Sequence, residues 1–224
     1  MSVKGAGKMA LKLYGSSIST CSQRVMLVMN ELNIPYDLVD IDMMKGEHKA
    51  PEYVRDIHSF GKVPALEVDS LRIFESKAIS RYLVAKYAPP KSTLGLPKTS
   101  EDLALFEQAA SVEYSYFEPS IFKLAYEKLF KKIMGHGEPD AVAVKSLETS
   151  FTETLDYYER VLQKQEYLTG NEVSLVDLFH VPWLEFLPRL DMEGEVQSRS
   201  NVRRWWERLQ QRASWQKILS DFVL

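Results

Sequence analysis

Along the first eighty or so positions the spacing of apolar residues changes period several times, and each change marks a boundary between elements. Leu11 to Tyr14 alternates apolar and polar residues and stops at Gly15, which predicts a short strand followed by a turn over Ser16 to Thr20. Val25, Val28, Met29 and Leu32 then recur at i, i+3, i+4 and i+7, the single stripe of a helix, until Asn33-Ile34-Pro35 breaks it. Tyr36 to Ile41 returns to strand character. A polar stretch rich in Lys and Glu, either loop or helix, leads to Phe60-Gly61-Lys62-Val63-Pro64, after which Ala65 to Val68 and Leu71 to Phe74 flank Asp69-Ser70 as a tight hairpin. Glu75-Ser76 opens a further helix with Ile79, Leu83 and Tyr87 on one face.

The order β-α-β-(loop or helix)-β-β-α describes a mixed sheet whose first two strands need a right-handed helical crossover. That is a thioredoxin-like α/β domain, expected over residues 9–88. Residues 89–102 concentrate Pro, Gly, Ser and Thr and read as a linker. From Leu103 to the end, residues 103–224, the periodicity is only helical, which predicts an all-α bundle domain. Leu147, Phe151, Leu155, Tyr158 and Leu162 repeat every three or four residues, and Val202, Trp205, Leu209 and Trp215 fit less strictly. Ser174-Leu-Val-Asp177 has capping-box spacing after Gly170-Asn171 and predicts a helix start.

Composition changes this picture little but excludes several functions. A chain of 224 residues, 45% hydrophobic and 26% charged, supports two packed domains. Its formal charge of -3 supplies no counterion-release term to hold nucleic acid. Cys21 is the only cysteine, so no intramolecular disulfide can form, and there is no Asn-x-Ser/Thr acceptor; both suit a reducing compartment. No stretch has signal-peptide or membrane-span character, so a cytoplasmic protein is expected; Met9 reads like a fresh start, with Met1 to Lys8 ahead of it as either a native extension or a non-native addition. Four histidines and one cysteine show no metal-ligand spacing, and no metal is expected.

Three constellations carry candidate chemistry. Ser19-Thr20-Cys21-Ser22-Gln23-Arg24 lies where a strand runs into a helix, and a helix N-terminus favours a bound anion such as a thiolate. Spacing alone makes Ser19 or Ser22 a cap more often than an activator. Val63-Pro64 precedes a strand, where proline sits at the first residue or in a turn, as either isomer. Ser76 stands at or beside a helix N-terminus with Glu75 before it, an arrangement that could hold a carboxylate and an ammonium but that, taken alone, is most often plain capping.

Taken together, in this order and spacing, these features resemble the cytosolic glutathione transferases, and within them the serine-type phi class. The likeness runs through Ser19-Thr20 with Arg24-Val25, Lys45-Gly46-Glu47-His48-Lys49, Phe60-Gly61-Lys62-Val63-Pro64-Ala65 and Phe74-Glu75-Ser76. It continues through Phe117-Glu-Pro119, Lys123-Leu-Ala-Tyr126-Glu, Tyr167-Leu-Thr-Gly170, Asp177-Leu-Phe-His180 and Asn201-Val-Arg-Arg-Trp205-Trp206. The resemblance implies a detoxifying enzyme that conjugates glutathione, its co-substrate, to hydrophobic electrophiles, with peroxide reduction as an added activity. It implies Ser19 as the catalytic hydroxyl that holds the glutathione sulfur as thiolate. His48 and Lys49 would meet the glycyl end, Lys62 a class-typical polar position, and Val63 the cysteinyl backbone beside a cis Pro64. Glu75 and Ser76 would hold the γ-glutamyl ammonium and carboxylate. A homodimer is also implied, for which Phe60 is a candidate apolar anchor, with burial inside its own chain as the equal alternative.

For the electrophile site the candidates are Ile18, Phe117 and Ile121. Two other readings stay open: a non-catalytic carrier of apolar ligands, and a thiol transferase that uses Cys21. A small buried Cys is the plainer account of Cys21, since two residues on a helix place it about 200° from Ser19. His180, inside an apolar run, is expected to be a satisfied core residue.

Overall fold

The computed structural model describes residues 11–222, so the expectations on Met1 to Lys8 and on the outermost domain limits fall outside it. Two compact units divide the chain: one runs to Ala88 and takes back the chain from Lys217 onward, the other spans Pro89–Gln216.

In the first unit, β1 (Leu11–Gly15), α1 (Thr20–Glu31), β2 (Tyr36–Asp40), α2 (Pro51–Asp56), β3 (Ala65–Val68), β4 (Leu71–Phe74) and α3 (Ser76–Tyr87) follow the expected order. The ambiguous polar stretch resolves into a short 3-10 turn, Glu47–Lys49, and then α2 with Pro51 in its first turn. The sheet order is β2-β1-β3-β4, with β1 parallel to β2 and antiparallel to β3, and β3 antiparallel to β4. Alternation in β1 buries Leu11 and Leu13, and the apolar stripe of α1 buries Val25, Val28 and Met29. α1 packs against α3.

The second unit is helical: α4 (Ser100–Val112), α5 (Glu118–Ala125), α6 (Lys131–Ile133), α7 (Ala141–Leu162), α8 (Leu175–Phe186), α9 (Glu193–Gln197), α10 (Ser200–Gln210) and the start of α11 (Ala213–Asp221). Single π-helical turns, Glu113–Phe117 and Tyr126–Phe130, join α4 to α5 and α5 to α6. The capping box at Ser174 and Asp177 is present in full.

Two boundaries differ from the sequence reading. The helical segment begins at Ser100 instead of Leu103, because Thr99 caps it: its hydroxyl accepts from Asp102 N at 3.1 Å and donates to Asp102 Oδ2 at 2.7 Å. The end of the chain groups with the first unit instead of the bundle. Ile218 is buried, and Asp221 lies near enough to Tyr36 on β2 to add to the burial that pushes its phenol up to about 12. The looser spacing around Trp205 and Trp215 follows from a break between α10 and α11 at Gln211 and Arg212.

Candidate functional site

The sheet register gathers the candidate residues at one end of the first unit. Asp40 pairs with Gly15, Tyr14 with Ala65, and Ala65 with Phe74, so these residues form a row across four strands. At that row the chain leaves β1, β2 and β4 and enters β3. The turn to Ser19, the segment bearing His48 and Lys49, the Val63–Pro64 step and the Glu75–Ser76 turn therefore emerge together. The Val63–Pro64 peptide bond is cis.

Ser19 is the N-cap of α1, with extended backbone, and its Oγ accepts from Ser22 N at 3.3 Å. Capping occupies an oxygen lone pair and leaves the hydroxyl proton available, so a serine that caps can also donate to a bound anion. Ser22, by contrast, is fully buried and accepts from Ser16 N at 3.1 Å, which assigns it to the turn. Cys21 is half-buried and not a core residue, with Sγ 3.8 Å from Arg24 Nη1. The angular argument that separated it from Ser19 does not apply, because Ser19 lies outside the helix.

The next loops are fastened to one another. Lys49 Nζ donates to Gly61 O at 2.6 Å and Phe60 O at 3.4 Å, and the Tyr53 hydroxyl donates to Lys62 O at 2.8 Å. Burial pushes the Tyr53 phenol up to about 12, which keeps it a donor. Gly61 has φ +57, and a Cβ there would meet His48 O at 2.7 Å, so the position accepts glycine for both backbone and space. His48 Nδ1 is buried without a hydrogen-bond partner, and burial, then the Lys49 charge, lower the proton affinity of its ring. A buried ring nitrogen left open at a surface loop suits a ligand hydrogen bond.

Glu75, exposed, has φ +72 and ψ +109, a strained conformation for a side chain other than glycine, at a cost of about 1 to 3 kcal/mol. Ser76 follows as the first residue of α3 and is buried. Its Oγ accepts from Arg24 Nη1 at 2.7 Å, and Arg24 is only 1% exposed.

The electrophile candidates separate. Ile18 is 54% exposed beside Ser19, whereas Phe117 and Ile121 have no exposed surface. Phe117 ends a π turn and packs on Phe151 and Tyr158 of α7 and His180 of α8, with ring centroids 5.7, 6.1 and 4.5 Å away. A side chain without exposed surface lines no open pocket, so both residues are framework of the helical unit. The exposed aromatics of that stretch are Tyr114, Tyr116 and Phe122. His180 is a satisfied core residue: Nδ1 pairs with Val176 O at 2.8 Å and Nε2 with the Tyr158 hydroxyl at 2.9 Å.

Three residues that support the site were given no role by the sequence: Arg24, which was named only within a motif, Tyr53 and His58. Only Arg24 left a signal, since it shares a helix face with Leu27 and Val28, where a charge is out of place.

Comparison with known proteins identifies the family of this fold. Residues 9–85 match the glutathione S-transferase N-terminal domain and residues 114–213 the C-terminal domain. The chain belongs to the glutathione S-transferase family. Among curated relatives, glutathione S-transferase PM239X14 of Arabidopsis thaliana is 44% identical, over 88% of this chain and 89% of its own. Glutathione transferase F7 from Populus trichocarpa superposes with a TM-score of 0.87 at 32% identity, over 94% of this chain and 98% of that one. Glutathione S-transferase I from mais, solved in complex with an atrazine glutathione conjugate, has a TM-score of 0.83 at 30% identity, over 94% and 97%. The N-terminal match covers Ser19, the loops and all but the last two residues of α3, and this glutathione transferase therefore carries its candidate polar site within the family's first domain. No helix among the described residues is long and apolar enough to cross a membrane.

Proposed function

We propose that this transferase is of the serine type: it binds glutathione at the row of strand ends and uses the Ser19 hydroxyl to hold the sulfur as thiolate for attack on hydrophobic electrophiles. The observation that carries the reading is the register of Tyr14 with Ala65 and of Ala65 with Phe74, which brings the Ser19 cap, the Val63 backbone and the Ser76 helix terminus to one end of the sheet.

The energetics are adequate. Lowering a thiol from about 8.5 to about 6.5 needs roughly 2.7 kcal/mol of preferential thiolate stabilisation. A hydrogen bond to a charged acceptor contributes about 1.5 to 3 kcal/mol and a helix N-terminus about 0.3 to 1. Ser19 sits at such a terminus with its proton uncommitted to the cap. Val63 would pair with the cysteinyl backbone beside Pro64, His48 Nδ1, Lys49 and Lys62 would meet the glycyl end, and Glu75 and Ser76 the γ-glutamyl group. Two lysines and two helix termini face a tripeptide that is net anionic at neutral pH, so affinity should fall with salt. The thiolate attacks an electrophilic carbon directly, expelling a leaving group such as chloride or adding to an activated double bond that then takes up a proton, and Ile18 is the apolar residue next to Ser19 in sequence.

The working molecule is a cytoplasmic homodimer in this reading. Phe60 is 67% exposed, with its ring edge-on to His58 and Phe74. A groove of about 490 Å³ runs between the α4–α5 stretch and α7, lined in part by Val112, Tyr116, Pro119, Leu147 and Tyr157. Phe60 of one copy would fill that groove on another.

The test follows thiolate ultraviolet absorbance of bound glutathione against pH for wild type and Ser19→Ala, alongside conjugation of a chloronitrobenzene. Loss of both the pKa shift and the activity, with glutathione still bound, is expected of Ser19→Ala. Binding without any shift in wild type would mean a carrier, and an unaffected Ser19→Ala would move the chemistry to Cys21.

A further inference from the structure

Arg24 is a long cation placed where burial is costly, and what it touches belongs to the site. Its guanidinium, 1% exposed, leaves α1 and donates through Nη1 to the Ser76 hydroxyl at 2.7 Å, across 52 residues of sequence. A charge in that position is retained only if its hydrogen bonds are good, and a fixed bond of this kind also fixes its acceptor.

The chemistry of a hydroxyl makes the direction of this bond consequential. Serine offers one proton and two lone pairs and can turn its proton either way. A guanidinium only donates, so Ser76 Oγ must face Arg24 as acceptor, and its own proton is left to donate elsewhere. Ser76 is the first residue of α3, whose opening turn leaves backbone N–H groups without partners inside the helix. The hydroxyl proton and those N–H groups then form one set of donors for an anion. The same Nη1 lies 3.8 Å from Cys21 Sγ in the first turn of α1, so Arg24 joins the turn that follows Ser19 to the turn that Ser76 begins.

We propose that Arg24 is a positioning residue: it fixes the Ser76 hydroxyl as a donor toward the γ-glutamyl carboxylate, and so sets how well this transferase distinguishes glutathione from thiols lacking that group. The inference rests on the glutathione reading above. Arg24 itself does not touch substrate. Its removal should therefore raise the KM for glutathione and leave kcat at saturation nearly unchanged.

The experiment compares glutathione with cysteinylglycine, which carries the same thiol without the γ-glutamyl group, in wild type, Arg24→Met, Arg24→Lys, Ser76→Ala and the double variant Arg24→Met/Ser76→Ala. Arg24→Met should raise the KM for glutathione by about tenfold or more, the scale of a lost charge-assisted hydrogen bond, and change kcat/KM for cysteinylglycine less than about twofold. Arg24→Lys, which keeps a donor, should recover part of the loss. In the Ser76→Ala background Arg24→Met should add almost nothing. Equal loss on both thiols, or effects that multiply in the double variant, would overturn the proposal. If Arg24→Met does not fold, Ser76→Ala decides alone: preference for glutathione retained at wild-type level overturns it. A wild type that shows no glutathione binding by calorimetry removes the functional reading itself, and this inference with it; wild-type binding with unchanged discrimination in the variants removes only the inference.

Discussion

The carboxylate of Asp177 accepts a hydrogen bond from the indole nitrogen of Trp205 at 3.0 Å, joining the start of α8 to the middle of α10. The same carboxylate takes Ser174 N, Ser174 Oγ and Leu168 N, at 2.8, 2.7 and 2.9 Å. Burial raises its pKa, and these four donors oppose that rise without cancelling it. Asp177→Ala leaves four buried donors unpaired as well as removing half of a capping box. We expect a loss of about 3 kcal/mol or more, read by urea denaturation, with the glutathione KM of the remaining folded protein unchanged. A loss below about 1 kcal/mol would show that the network adds little.

Gly61 and His48 support a second prediction. An alanine at Gly61 must keep φ near +57 and push its Cβ into His48 O, a backbone atom that cannot rotate away. Gly61→Ala should cost about 1 kcal/mol for the left-handed backbone alone and more for the displaced carbonyl. Because His48 and Lys49 move with that segment, the KM for glutathione should rise with kcat nearly constant. Steady-state kinetics at varied glutathione checks this, and a fall in kcat alone would contradict it.

Elements of both units were legible where their signals were local. The Val63–Pro64 step, the Asp69–Ser70 hairpin and the Ser174–Asp177 box each lie within a few residues, and each predicted element was found at its place. What could not be read depends on partners distant in sequence. Arg24 meets Ser76, and Tyr53 meets the carbonyl of Lys62, through pairings no periodicity encodes. Phe117 and Ile121 were candidates as apolar residues of the second unit's first helices, and apolar character alone does not separate a pocket wall from a core position; both have no exposed surface. Thr99 was a missed local signal, with Asp102 three residues on.

Phe60 gives a direct test of assembly. If its exposed ring is the anchor between copies, Phe60→Ser should shift the equilibrium toward monomer by more than about 1.4 kcal/mol, tenfold in the dissociation constant. The fold of each copy should persist, since a 67% exposed ring contributes little to its own core. Sedimentation at several concentrations measures the constant. An unchanged dimer would place the interface elsewhere.

His58 sets a pH dependence whose sign can be worked out. The ring is 2% exposed, stacks on Phe74 at 4.3 Å, and Nδ1 accepts from Phe60 N at 3.3 Å. An accepting nitrogen carries no proton, so the bond requires the neutral ring. Burial lowers the pKa below its ordinary 6.5; nearby Glu75 opposes that, and Lys62 and Lys49 add to it. With the folded value depressed, the unfolded chain binds more protons below about 6.5, so the stability from neutral His58 is complete above that pH and is lost as pH falls through the folded value. One proton gives a slope of at most about 1.4 kcal/mol per pH unit. His48, also lowered, contributes in the same direction, so the test is a difference. Denaturation midpoints between pH 7 and 5 should fall more steeply for wild type than for His58→Gln, and parallel slopes would mean that His58 takes up its proton equally in both states. Because Phe74 precedes Glu75 and Phe60 precedes Gly61, protonation would disturb both loops proposed to hold the tripeptide, and the KM for glutathione should rise over the same pH range in wild type and stay flatter in the variant.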